Sequence, residues 1–175
     1  ARYDLWIGAN DVSVIDSLRQ RNPNLKAIAY QISTESCSAT EVRNNIGNLA
    51  PGFSDLWWLR SHTGQQYTFW ANCPMANQSA VSPVVNGIRF NRFFTNYVRD
   101  YVWNRAGGKL DGIYYDNAWE NIAWKAADHG NSIDLDRDGV NDLTRYGEAW
   151  VDQQWAEGYR QIMQYTREFM GPNGI

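Results

Sequence analysis

Asp116 and Glu120 are the side chains with which this chain could break a bond. Asp116 closes the run Asp111-Gly112-Ile113-Tyr114-Tyr115-Asp116-Asn117, and Glu120 follows in the next stretch beside Trp119. A carboxylate at a strand end and a second in the following loop are what acid/base hydrolysis of a glycoside needs. One protonates the leaving oxygen; the other serves as nucleophile or base. The plainer alternatives are a solvated Glu120 and a strand whose Asp-Asn exit only makes a turn. Asp111, at the amino end of the same run, is expected to be structural. Trp57, Trp58, Trp70 and Trp119 fall near predicted strand ends. With Asn10, Gln31, Asn72 and Asn117 they could line sugar subsites, because flat amphipathic rings suit the apolar faces of sugars; each ring could equally fill the core.

A second constellation is Asp134-Leu135-Asp136-Arg137-Asp138-Gly139-Val140-Asn141-Asp142. Alternating carboxylates followed by glycine resemble the first half of an EF-hand loop. Oxygen ligands stand at positions one, three and five (Asp134, Asp136, Asp138), the backbone of Val140 is at seven and Asp142 at nine. The twelfth position is Arg145 rather than the bidentate glutamate. Calcium is therefore the expected cofactor only if Asp142 or a residue from elsewhere completes the set. The alternative is an acidic turn at the start of the helix that begins near Thr144, where negative charge is favoured.

These residues must be positioned by a strand-and-helix alternation. Residues 3–8 read as a strand and 25–32 as a second, apolar on both faces as in a buried parallel sheet. Between them lies a short helix with Val14, Ile15 and Leu18 on one face, capped by Asn10, Asp11 or Ser13. Residues 66–70 read as a short third strand, and 87–105 as a helix with Phe90, Phe93, Phe94, Tyr97, Val98, Tyr101 and Val102 in its stripe, ended by Gly107-Gly108. In the strand at 111–117, Gly112, Tyr114 and Asp116 share one face; Ile113, Tyr115 and Asn117 share the other and face the covering helices. A long loop, 118–143, precedes a final helix over 144–170 carrying Val151, Trp155, Tyr159 and Ile162. Ile175 reads as the first residue of a further strand.

Length and composition bound the answer. The 175 residues suffice for one domain but fall short of the about 250 of a closed (β/α)8 barrel. The fold class is therefore α/β: three to four βα units around a parallel sheet, part of a larger TIM-like barrel. Net charge is −3 with no basic stripe, which argues against a nucleic-acid partner. No apolar run reaches membrane length and no signal peptide opens the chain, so it is either cytosolic or has lost a targeting segment. There is no Gly-rich phosphate loop, and the two His lie in no metalloprotease motif. Cys37 and Cys73 could be free thiols, but both follow strands expected to be neighbours, and a disulfide is the expected state. Asn77-Gln78-Ser79 is a glycosylation sequon, a triplet common by chance.

The strand ending in Asp116-Asn117, then Trp119-Glu120, then the 134–142 acidic run resemble bacterial glycoside-hydrolase-like TIM-barrel proteins, including the polygalactosaminidase-like group. Residues 3–7 and 25–30 fit earlier strands of that fold. The resemblance implies an extracellular or cell-surface protein acting on a polysaccharide or oligosaccharide, with Asp116 as the catalytic carboxylate. It places the partner acid on a later strand, so this stretch alone would be inactive, and its open sheet would be covered by missing barrel segments or neighbouring chains. The rival reading is a non-catalytic carbohydrate-binding or surface structural protein that keeps the barrel without the chemistry. A second carboxyl facing Asp116 would separate the two.

Overall fold

The computed structural model describes residues 3–8, 12–37 and 51–175. The candidate subsite residue Asn10 and the candidate cap Asp11 lie outside them. Three parallel strands form one open sheet in the order β1 (Leu5–Gly8), β2 (Lys26–Ile32) and β3 (Gly112–Asp116). The register sets Ile7 beside Ile28, Tyr30 beside Tyr114 and Ile32 beside Asp116. Parallel neighbours need crossover connections. Helix α1 (Val12–Arg21) lies in the first; α2 (Phe90–Val98) lies in the second.

Alternation along the strands divides the sheet into two unlike faces. Ala27, Ala29 and Tyr115 are buried under α2 and under α4 (Glu148–Met170). The Tyr115 ring lies 5.5 Å from Phe94, and its hydroxyl meets Thr166 of α4 at 2.7 Å. Phe90, Phe94 and Val98 of α2 and Val151, Trp155, Tyr159 and Ile162 of α4 complete that core. The other face carries Leu5, Ile7 and Tyr114, which are 52%, 44% and 45% exposed. The sheet is thus covered by helices on one side; the other, where Asp116 also stands, is open at Leu5, Ile7 and Tyr114, while Ile28 and Ile32 on it are buried.

At the outer edge of β3, Ile175 donates its N–H to the Asp111 carbonyl at 2.9 Å, and its own carbonyl accepts from the Ile113 N–H at 3.2 Å. These are ladder bonds of a parallel neighbour. Gly112 permits them, because a Cβ there would sit 2.0 Å from the Ile175 oxygen.

Three elements depart from the sequence reading. Residues 66–70 do not join the sheet. A tight reversal through Asn72, at φ 64°, folds them back, and they make only isolated antiparallel bridges, Arg60 with Gln66 and Thr68 with Pro74. The helix expected over 87–105 is regular only through Val98. It then widens into a π turn over Arg99–Trp103 and tightens to 3-10 before Gly107 at φ 59°. The final helix is broken by Gly147 at φ 85°, which separates α3 (Asp142–Tyr146) from α4. The long loop contains a 3-10 stretch, Ala123–His129, held by Asp152, whose Oδ1 accepts from the N–H groups of Ile122 and Ala123 at 2.7 and 2.8 Å.

Candidate functional site

Asp116 is the last residue of β3, on the open face and partly exposed. Tyr30, on the same face and two residues before the ladder partner Ile32, donates its hydroxyl to Asp116 Oδ2. Burial and then that hydrogen bond raise the phenol well above its ordinary range, so Tyr30 stays protonated and remains a donor. Asp116 Oδ1 accepts from the Asn117 N–H at 3.0 Å. Asn117 takes a left-handed conformation, φ 58°, which asparagine tolerates better than most residues.

That turn points the Asn117 amide at a carboxylate the sequence reading did not single out. Asn117 Nδ2 donates to Glu35 Oε1 at 2.5 Å. Glu35 is 4% exposed, and its Oε2 is buried without a hydrogen-bond partner. Burial pushes its carboxyl up, its own N–H and the Asn117 amide pull it down, and the negative charge of Asp116 adds to the rise; the net shift is upward. Asn117 links the two carboxyls, its N–H on Asp116 and its side-chain amide on Glu35.

The backbone that carries these groups is fixed from three sides. Glu35 bridges Met75, and Ser36 donates its N–H to the Pro74 carbonyl at 2.9 Å. Next to them Cys37 and Cys73 form a disulfide, Cα to Cα 4.1 Å. From the helix side, Tyr159 of α4 donates its hydroxyl to the Asn117 carbonyl at 2.8 Å, and the same oxygen is in hydrogen-bond contact with Ser33 Oγ at 2.8 Å and Thr34 Oγ1 at 2.6 Å. Ser33 Oγ also donates to the Asp116 carbonyl at 2.6 Å. The exits of β2 and β3 are thereby tied to each other and to α4.

The other expected site residues are dispersed. Glu120 is exposed, and no hydrogen bond or ion pair among the described residues joins it to Asp116. Trp119 packs on Phe69 and Trp124 with ring centroids 4.7 and 5.8 Å apart. Trp70 is 62% exposed beside Phe69, and Asn72 is exposed in the turn below it. Gln31 is buried on the helix-covered face, opposite to Asp116. Trp57 and Trp58 are core residues. The sequon Asn77 is fully buried, its Nδ2 donating to the Leu135 carbonyl at 2.6 Å, which closes it to glycosylation in the folded protein. Asp111 is structural: it accepts from the Ala27 N–H at 2.9 Å and pairs with Arg19 and Lys26 at 2.7 and 3.0 Å.

On the open face Tyr30 and Tyr114 stack at 6.0 Å and 24° beside Asp116. Glu35 was legible in principle. It stands three residues beyond β2 in Ser33-Thr34-Glu35-Ser36, where the same strand-exit rule that selects Asp116 applies. The acidic run places Asp134, Asp136 and Asp138 together, with one oxygen from each within 4.8 Å of the others. Asp142 is fully buried beside them; burial, against a hydrogen bond from Leu135 and with the charges of Asp136, Asp134 and Asp138, pushes it up to about 6. Among the described residues no helix is long and apolar enough to cross a membrane. The disulfide is compatible with a secreted protein. No protein-family model matches the chain, and no curated protein matches it.

Proposed function

We propose that the protein is a glycoside hydrolase that uses Glu35 as general acid and Asp116 as nucleophile or base. The observation that carries this reading is a pair of carboxyls at adjacent strand exits joined through Asn117. One is buried with its acidity weakened; the other is partly exposed and held by a tyrosine hydroxyl and a backbone N–H. A carboxyl raised by burial beside a second carboxyl at the neighbouring strand exit is a candidate general acid. In the reaction Glu35 gives its proton to the glycosidic oxygen as the bond to the anomeric carbon breaks. Asp116 either attacks that carbon or takes a proton from the water that does. The stacked Tyr30 and Tyr114 offer a platform for a sugar ring next to both.

The sheet fits one part of a (β/α)8 barrel whose axis is faced by Leu5, Ile7, Tyr30, Tyr114 and Asp116. Sequential parallel strands, helices on one face only and apolar side chains on the other support that placement. Further barrel strands or neighbouring chains would then cover the open face.

One observation favours a second reading. The tyrosine platform would bind sugar without any chemistry, and Glu35 is nearly closed to solvent. Reducing-end release from a panel of polysaccharides, with the complete protein and its Asp116→Asn variant, distinguishes the two. Hydrolysis by the wild type that falls by at least about 100-fold in the variant, with sugar binding kept, supports the enzyme. Binding without hydrolysis by the wild type supports the binding protein.

A further inference from the structure

We propose that Trp70, Phe69, Trp119 and Trp124 form one binding surface for a glycan chain, so that the ligand is several sugars long rather than a short glycoside. The proposal rests on the reading of Asp116 and Glu35 as the centre of a sugar site.

The four rings touch one after another. Trp70 meets Phe69 with centroids 4.7 Å apart, Phe69 meets Trp119 at 4.7 Å, and Trp119 meets Trp124 at 5.8 Å. The inner pair, Phe69 and Trp119, is half-buried and packs against the core, which fixes it. The outer pair faces solvent: Trp70 is 62% and Trp124 49% exposed. Scattered exposed apolar side chains need no explanation, but a contiguous set marks a surface of interaction.

The position of the rings selects the occupant, because they continue the two segments that carry the carboxyls. Trp119 follows shortly after Asn117, whose N–H holds Asp116 and whose amide holds Glu35. Phe69 and Trp70 enter the reversal at Asn72, where Phe69 donates its N–H to the Cys73 carbonyl at 3.0 Å. Cys73 is bonded to Cys37, just beyond Glu35. The contact of Phe69 with Trp119 joins the two arms. A sugar held at Asp116 therefore has the rings beside it, and a chain long enough to leave the carboxyls runs onto them. Indole faces match the apolar faces of sugars, whose hydroxyls then need polar partners at the rim. Asn72, Glu120 and Asn121 are exposed next to these rings in the chain, and Lys125 lies 5.6 Å from the Trp124 ring.

Titration of tryptophan fluorescence tests this in the complete protein carrying Asp116→Asn, in which hydrolysis does not intervene. The probes are disaccharides and hexasaccharides from cellulose, chitin, chitosan and pectate. At least one hexasaccharide should bind about tenfold tighter than its own disaccharide. Adding Trp70→Ala or Trp124→Ala should each cost about tenfold on that hexasaccharide, and more than on the disaccharide. Both side chains are exposed, so the melting temperature should stay within about 2 °C of the parent, and the loss is then not a folding defect. No binding, equal affinity for both lengths throughout, or undiminished hexasaccharide binding in both tryptophan variants would overturn the proposal. So would a dimer of the protein that either variant turns into a monomer, which would give the surface to a second copy of the chain. The result is separable from the hydrolase reading. Length-dependent binding lost in the tryptophan variants upholds the aromatic surface even if the wild type cleaves nothing. Cleavage by the wild type, with unchanged binding in those variants, removes the surface and leaves the carboxyl pair.

Discussion

Glu35 is held where its proton is hard to lose. Its carboxyl is buried and lies near the charge of Asp116, and its folded-state pKa is raised above the ordinary 4.5. A raised acid favours the folded state below 4.5, and that contribution is lost as pH rises through the folded value. Melting temperature should therefore fall more steeply with rising pH in the wild type than in Glu35→Gln, across the range above 4.5. If Glu35 is the proposed general acid, kcat/KM should descend on an alkaline limb that lies above the usual glutamate range. Parallel pH–stability curves for wild type and variant would show that Glu35 is not buried as an acid. Asp116 was legible from sequence because strand alternation and strand ends are local properties. The strand-exit position of Glu35 is equally local; its contacts with Asn117 and Met75 are not, because they are remote in the chain and invisible to periodicity.

Helix α4 is the element that sets the site, through two adjacent residues. Gly158 lets the helix approach the loop at Gln78 so closely that a Cβ would lie 1.8 Å from the Gln78 carbonyl oxygen. Helix propensity alone makes Gly158→Ala favourable by about 1 kcal/mol. The clash with backbone should reverse the sign, and denaturant unfolding should show a net loss of about 1–3 kcal/mol. Tyr159→Phe keeps the packing and removes the hydroxyl shared by Ser33, Thr34 and the Asn117 carbonyl. It should cost about 1–3 kcal/mol and lower kcat more than it raises KM, since the exits of both strands loosen. The helical stripe of Tyr159 was readable from its spacing; its polar tip was not, because periodicity reports which face is buried and not which partners wait there. The break at Gly147 and the reversal at Asn72 were missed for a related reason: each depends on a positive φ that the flanking pattern does not announce.

At the scale of the molecule, a three-stranded sheet with helices on one face and the other partly exposed is held together as much by its loops as by its strands. The disulfide joins residues 36 apart in the chain. Loop closure of that length contributes about 4 kcal/mol in the chain-entropy picture, so reduction should lower the melting temperature by about 8–16 °C in a domain of this size. An unchanged melting temperature after complete reduction would show that the backbone bridges alone hold the segment at Glu35. Parallel order and the helix-covered face were legible from the alternation of apolar runs. The enclosure of the other face was not, since a side chain such as Leu5 or Tyr114 reads as core whether or not anything covers it. The proposed hydrolase reading, as against a sugar-binding surface, stands on a division of labour between Glu35 and Asp116. The most direct measurement is the rate of the complete Glu35→Gln protein on two substrates of the same sugar, an unactivated polysaccharide and an aryl glycoside whose leaving group needs no protonation. A general acid at position 35 requires a loss of at least about 100-fold on the polysaccharide and near wild-type rates of bond cleavage on the aryl glycoside. Equal losses on both substrates, or none on either, would contradict it.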